Sequence, residues 1–399
     1  MISRMGFSRS DWRLIIITVV VTAVAGTAHY AKLGGDVAPF VISAIALALL
    51  ASLVGRSVEA LGDRLGAGAT GVVQSALGNL PELFVVLFAL RDKLYAVARA
   101  TIVGSILANV LLVLGLAFLF GGLKHGRQKF GGEAARRMSV LMALSVAALL
   151  IPSLTASLGS AATKAATHER SLSIVVSVLL LCLFVASLPA SLKRTKVAHE
   201  GPAGEAVPAG SETSGEPDEP EAGKPEAGKP EAGKPEAHAG EEQGNEHAWP
   251  FGLALAMLAI TGLGAAFVSD WFVSALTPAI DTLGISEAFA GLVIVAIAGN
   301  AVENVVGIQL ALKNESDYAL SVILQSPLQI ALVVAPALVL LSPLVGASFT
   351  LVLSPLLIAV LIMAVVITVL VVLDGESNWL EGATLIVLYA IIATAFWWG

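Results

Sequence analysis

Residues 70–90 read TGVVQSALGNLPELFVVLFAL, and residues 287–312 read EAFAGLVIVAIAGNAVENVVGIQLAL. Each run is long enough to cross a bilayer core, for which a helix needs about 20 mainly apolar residues. Each also carries the same polar sequence in its middle: Gly78-Asn79-Leu80-Pro81-Glu82 in the first, Gly299-Asn300-Ala301-Val302-Glu303 in the second. A carboxylate in that setting costs on the order of 3 kcal/mol, so it is expected to face the protein interior and to be neutralised there. Two of them at matching places point to a duplicated membrane protein with a polar centre.

The composition agrees. Of 399 residues 56% are hydrophobic and 13% charged, and no soluble domain of this length hides that much apolar surface. Eleven apolar runs are expected to span, at 14–32, 38–60, 70–90, 97–121, 136–158, 170–192, 249–271, 287–312, 319–341, 348–372 and 377–398. They are too long and too continuously apolar for barrel strands, which alternate in segments of about ten residues. In lipid each segment must satisfy its own backbone, so the expected fold class is an all-α integral membrane protein with 11 transmembrane helices. The first run lacks a small-residue cleavage site and is long for a signal-peptide core, which makes it a retained span. The single cysteine, Cys182, sits in an apolar run and has no intrachain partner; it reads as a buried structural thiol.

Basic residues set the orientation. Arg4, Arg9 and Arg13 precede the first span, Lys124, Arg127, Lys129, Arg136 and Arg137 lie between the fourth and fifth, and Lys193, Arg194 and Lys196 follow the sixth. The loop expected after the seventh span carries Asp270 and Asp281 and no base. The N-terminus is therefore expected in the cytoplasm and the C-terminus outside, with a bacterial cytoplasmic membrane the expected location.

Residues 199–248 form the one soluble stretch, rich in Glu, Pro, Gly and Ala, with tandem units Pro220–Lys224, Pro225–Lys229 and Pro230–Lys234. Over 200–247 acidic side chains outnumber lysines 13 to 3, a net −10 against −7 for the whole chain. So few apolar side chains cannot offset the entropy of ordering, and a flexible cytoplasmic linker is expected. It divides the chain into an N-terminus with a leading helix (1–35), a first five-helix repeat (36–198), the linker itself, and a second five-helix repeat (249–399). About 221 residues separate the paired motifs. The motif spans are the third and the eighth, an odd five apart, so the two motif helices are expected to enter from opposite sides, as inverted repeats about a midplane axis.

Asn and Glu three apart share one helix face. No Lys, Arg or His lies within 70–90 or 287–312, which leaves protons, cations or bases on other helices to neutralise Glu82 and Glu303. A second reading of each Glu is a protonated carboxyl that hydrogen-bonds between helices. Two carboxylates and two amides, from Asn79 and Asn300, give an all-oxygen shell that suits a hard cation such as calcium rather than zinc or copper. Pro81 is expected to bend its span and free the Leu77 carbonyl, while Gly78 and Gly299 admit close helix approach. Ser105 and Asn109 share a face of the fourth span, and Ser326 and Gln329 a face of the ninth. These four either complete the site or hold helices together. Carboxylates brought together out of water hold protons when the site is empty, so a divalent cation and protons compete for one coupled pair. The minimal cycle exchanges two protons for one calcium.

These residues resemble the calcium/proton exchanger family of the cation/calcium antiporter superfamily. The first motif continues through Gly104-Ser105-Ile106-Leu107-Ala108-Asn109 to Phe120-Gly121-Gly122, and the second through Lys313-Asn314 and Asp317 to Gln329-Ile330-Ala331-Leu332. The resemblance implies a ten-helix inverted-repeat core plus a leading helix, with Glu82 and Glu303 carrying cation and protons and Asn79 and Asn300 assisting. It also gives Glu59, at the end of the second span, a role in proton access or gating; the alternative for Glu59 is an interfacial pair with Arg56 or Arg64. The chain departs from the family at Asn304, where a His follows the Glu, at Gln325-Ser326-Pro327 in place of a Gly-Ser segment, and at Pro81.

The expected function is secondary antiport of calcium against protons, with both ions and the lipid bilayer as partners, no cofactor and no nucleic acid. A sodium- or potassium-coupled exchanger is the nearest alternative, and a cation channel or membrane-embedded enzyme the alternative in a different class. An enzyme is disfavoured because the spans carry no intramembrane His/Asp pair, zinc-ligand spacing or nucleophile motif.

Overall fold

The computed structural model of the protein describes residues 7–65, 77–159, 164–199 and 249–398, with the side chains of 63–65, 132–135, 188–199, 302 and 303 outside that description. In chain order the helices are α1 (Arg9–Ala31), α2 (Val37–Leu65), α3 (Leu80–Arg91), α4 (Tyr95–His125), α5 (Gly132–Leu158), α6 (Glu169–His199), α7 (Phe251–Leu283), α8 (Glu287–Gly299), α9 (Ala301–Leu312), α10 (Ser316–Val345), α11 (Pro355–Leu373) and α12 (Trp379–Trp397). Among the described residues nine helices are long and apolar enough to cross a membrane, and α8 with α9 makes a tenth that bends by 61°. The start of the third expected run, 70–76, lies outside the description, as do residues 200–248 of the acidic stretch.

Helix ends follow local chemistry. Ser8 and Asp11 cap α1 reciprocally, and Asn378 and Glu381 do the same for α12. Ser354, followed by Pro355, starts α11. Such caps satisfy N–H groups that no preceding turn can reach.

The loops sort into two sets of mutual contacts. At one end Lys124 Nζ and His125 Nε2 lie 2.9 and 2.8 Å from the Leu312 carbonyl. Gln128 Nε2 there donates to the Ala311 carbonyl and to Asn314 Oδ1, both at 3.0 Å. Two-residue strands β1 (Gln128–Lys129) and β2 (Glu376–Ser377) pair antiparallel beside them. At the other end Arg91 Nη2 lies 2.6 Å from Asp270 Oδ1, Thr282 Oγ1 donates to Asp36 at 3.4 Å, and the Ser286 N–H donates to the Trp397 carbonyl at 3.1 Å. Half-helices α3 and α9 therefore leave the centre in opposite directions. Each ends in a left-handed residue, Lys93 (φ 64°) and Asn314 (φ 63°).

The core sits around α4, buried through Val97, Val103, Ile106, Leu111 and Leu114. Its helix is π-wound over Ala108–Val113, and α10 is π-wound over Ile330–Val334; π-turns redirect the side chains that follow them. Glycine lets α4 touch its neighbours through backbone. A Cβ on Gly104 would lie 2.5 Å from Leu292 Cα, and one on Gly382 would lie 2.5 Å from the Gly115 carbonyl. Because the obstacle at Gly104 is backbone, Gly104→Val is expected to cost about 3 kcal/mol or more. A lowered melting temperature in detergent would show it, and an unchanged one would mean that α4 and α8 pack less closely than described.

Three expectations are corrected. Asp270 and Asp281 do not lie in a loop, because α7 continues to Leu283: a helix does not stop where its apolar run ends, and Gly284 in the left-handed conformation terminates it. Cys182 is free but exposed rather than buried, since α6 is apolar on all sides and turns this face outward with Leu179 and Leu183. Pro81 is not in a helix interior. It stands in the first turn of α3, where no intrahelical N–H bond is lost, and the break falls before it at Asn79.

Candidate cation site

Both Gly-Asn-x-x-Glu motifs form helix breaks of one shape. Asn79 (φ −97°, ψ 23°) precedes α3 and Asn300 (φ −92°, ψ 21°) precedes α9. Each Asn carbonyl accepts the N–H four residues on, from Leu83 and Asn304, at 3.1 Å. An N-cap Asn with Glu at the third helical position is the grammar of a capping box, yet neither Asn side chain caps its own helix. The amides reach across to the other half instead. Each half-helix has 12 residues, about 18 Å of rise against a hydrocarbon core of roughly 30 Å. Glu82 and Glu303 lie in the first turns of these half-helices. The N-termini that bear them carry about half a positive charge each, which serves where a basic side chain is missing.

Glu82 is buried, 4% exposed, and it packs on the opposite motif: a Cβ on Gly299 would lie 2.9 Å from Glu82 Cγ and 3.1 Å from Oε1. The two breaks therefore meet. The Glu303 backbone belongs to α9, while its side chain lies outside the described residues. Asn79 Nδ2 donates to Gln329 Oε1 at 2.8 Å, and Asn109 Nδ2 lies 2.8 Å from Asn300 Oδ1 and 3.2 Å from Ser326 Oγ. All of these groups are buried. Each break amide is clasped by a residue at a π-turn of the other half.

The clasp makes the two Asn residues unequal. Asn300 Oδ1 accepts from Asn109 and also from Ser326 Oγ at 3.1 Å, and Asn300 Nδ2 donates to the Ala296 carbonyl at 2.9 Å. Its carbonyl oxygen is saturated. Among the described residues, Asn79 Oδ1, Asn109 Oδ1 and the Ser105 hydroxyl are buried without a hydrogen-bond partner, and an orphaned oxygen costs about 1–3 kcal/mol. Oxygens held in that state next to a carboxylate are what a hard cation requires. Among the described residues, no group of three or more His, Cys, Asp or Glu could hold a metal.

A cavity of about 750 Å³ runs from Gly78, Gly299, Ser326 and Gln329 to a mouth bearing Asp11, Arg56, Glu59 and Trp249. Sequence reading missed Asp11. It forms an ion pair with Arg56 and accepts from Trp249 Nε1 at 3.3 Å, so one carboxylate joins α1, α2 and the start of α7. Its only sequence signal was the Ser8-x-x-Asp11 capping box. Glu59 is exposed on the cavity wall, with the Arg64 side chain outside the described residues. Gln309 and Gln325 also line the wall.

Residues 36–193 and 253–398 match the family model described as sodium/calcium exchanger protein. This chain belongs to the sodium/calcium exchanger protein family. Among curated members it is 32% identical over 387 residues to a Ca(2+)/H(+) antiporter of Synechocystis, covering 96% of this chain and 97% of that one. It is 33% identical over 359 residues to the Ca(2+)/H(+) antiporter ChaA of Bacillus subtilis, covering 90% and 91%. The structure of native YfkE superposes with a TM-score of 0.72 at 29% identity, over 96% of this chain and 99% of that one. The resemblance read from the two motifs to calcium/proton exchangers is thus borne out, and the exchanger chain is an integral membrane protein.

Proposed function

We propose that this exchanger is a secondary active antiporter that moves calcium against protons by alternating access to one site between the two helix breaks. Glu82 and Glu303 are its charged ligands and proton carriers. Asn79 Oδ1 contributes a neutral ligand, and Asn300, tied by Asn109 and Ser326, keeps the second break in shape. The observation that carries the reading is the burial of Glu82 against Gly299, which brings the two motifs to one point, with Gly78 and Gly299 in the wall of the cavity. In this reading eleven spans make a leading helix and two inverted five-helix repeats. The N-terminus is cytoplasmic and the C-terminus external, so the cavity opens to the cytoplasm. With one carboxylate from each half, the site binds either a divalent cation or protons, and the neutral loaded forms cross between the two access states.

Proteoliposomes carrying an internal pH dye test this directly. Calcium is expected to trigger proton movement that sodium, potassium and magnesium do not reproduce. Proton movement with monovalent ions alone would replace the cargo, and none with any ion would remove antiport altogether. Deleting residues 205–245 is expected to leave calcium-driven flux within about twofold of wild type, because dispersed carboxylates on a chain with so few apolar residues form no packed site. A loss of flux on that deletion would give the acidic stretch a direct part in transport.

A further inference from the structure

Among the described residues, the positions that correspond to the cavity wall in the other repeat are packed. Shifted by the 221 residues that separate the motifs, its wall residues Ala301, Val305 and Gln309 correspond to Leu80, Phe84 and Phe88, and Val322, Gln325 and Ser326 to Thr101, Gly104 and Ser105. Where one end is lined by Val and Gln around open space, the other is filled. Phe84 and Phe88 pack against the core, and Thr101, Gly104 and Ser105 are buried. The face of α7 that carries Asp270 toward α3 continues one turn on to Val273 and then Leu276, at 1% and 0% exposure. Among the described residues, the hydroxyls of Thr101 on α4 and Ser269 on α7 are buried without a hydrogen-bond partner. A hydroxyl left unpaired in an apolar plug is unfavourable unless the plug is at times wet.

Arg91 ties α3 to α7 beside this region. Its Nη2 lies 2.6 Å from Asp270, its Nε 2.8 Å from Asp92, and its guanidinium 4.8 Å from the centre of the Phe88 ring. The position that corresponds to Arg91 at the cavity end is Leu312, so the Arg91–Asp270 pair has no counterpart in the other repeat.

We propose that the wedge between α3, α4 and α7 is the second access path to the site, that Thr101 and Ser269 line it when water enters, and that Arg91–Asp270 is its latch. The latch rests on the alternating-access reading above. It favours the state seen here over the opposite one, and because the pair is partly exposed its effect is modest, about two- to fivefold in population.

The test uses the full chain reconstituted in vesicles of determined orientation, with Cys182→Ser removing the native thiol. One reporter is Thr101→Cys in the wedge, and the other is Val306→Cys in the cavity. A membrane-impermeant maleimide is added on the side each faces. Asp270→Asn and Arg91→Gln are each expected to speed labelling at position 101 by about two- to fivefold and to slow labelling at 306, and the swapped pair Arg91→Asp with Asp270→Arg to restore both rates. Reciprocal change is the mark of a shifted two-state equilibrium. Unchanged rates would overturn the latch, as would rates that rise together, since that reports general loosening. Labelling is read without transport, so reciprocal labelling in a protein that moves no calcium would remove the proposed cargo and keep the latch.

Discussion

Glu82→Gln is expected to reduce calcium-driven proton flux by at least about a hundredfold while the protein folds normally. Gln keeps the volume of Glu and its capacity to fill the space against Gly299, so the packing that buries this side chain to 4% exposure is retained. It loses the charge that holds a divalent cation and the atom that takes up a proton. A hundredfold in affinity corresponds to about 2.7 kcal/mol, a modest demand on one carboxylate that faces a cation out of water. Glu303→Gln is expected to match it, because exchange requires charge from both halves to balance one divalent ion. Flux in proteoliposomes and melting in detergent should be read together. Normal flux in either variant would sink the site, whereas lost flux with lost folding would report packing alone.

Gly299→Ala is the second large effect, and it separates geometry from charge. The added methyl would stand 2.9 Å from Glu82 Cγ and 3.2 Å from Cδ, nearer than carbon atoms tolerate, so the carboxylate itself must move. Both carboxylates remain, but their separation changes, and displacements approaching 1 Å at a reacting centre cost up to about a hundredfold. Flux is expected to fall about ten- to a hundredfold with melting close to wild type, because a movable side chain gives way more cheaply than backbone does. Calcium should lose more than protons, since a cation needs several oxygens at set distances and a proton needs one. A variant with unaltered calcium dependence would mean that Glu82 works in a position other than the one described.

The motif pair was legible in sequence because lipid makes polar residues conspicuous. In an apolar run, Asn79, Glu82, Asn300 and Glu303 stand out without any alignment, and the same holds for Ser105, Asn109, Ser326 and Gln329. That the last four gather at the breaks was not legible. Whether a buried Asn serves a site or joins helices depends on which of its atoms are already bonded, and only the fold shows that the Asn300 carbonyl oxygen is saturated while Asn79 and Asn109 each keep a carbonyl oxygen in reserve.

By itself the sequence determined the solvent, the helical class and the place of the duplicated polar centre. The physical reason is that a backbone in hydrocarbon must bond within its own segment, which ties structure to the length of each apolar run. The tertiary structure alone decided which face of each helix turns inward, because lipid and protein core are equally apolar and hydropathy cannot tell them apart. Cys182 on an outward face, Asp270 within α7 and paired with Arg91, and Asp11 joining α1 to α2 and Trp249 are all decisions of that kind.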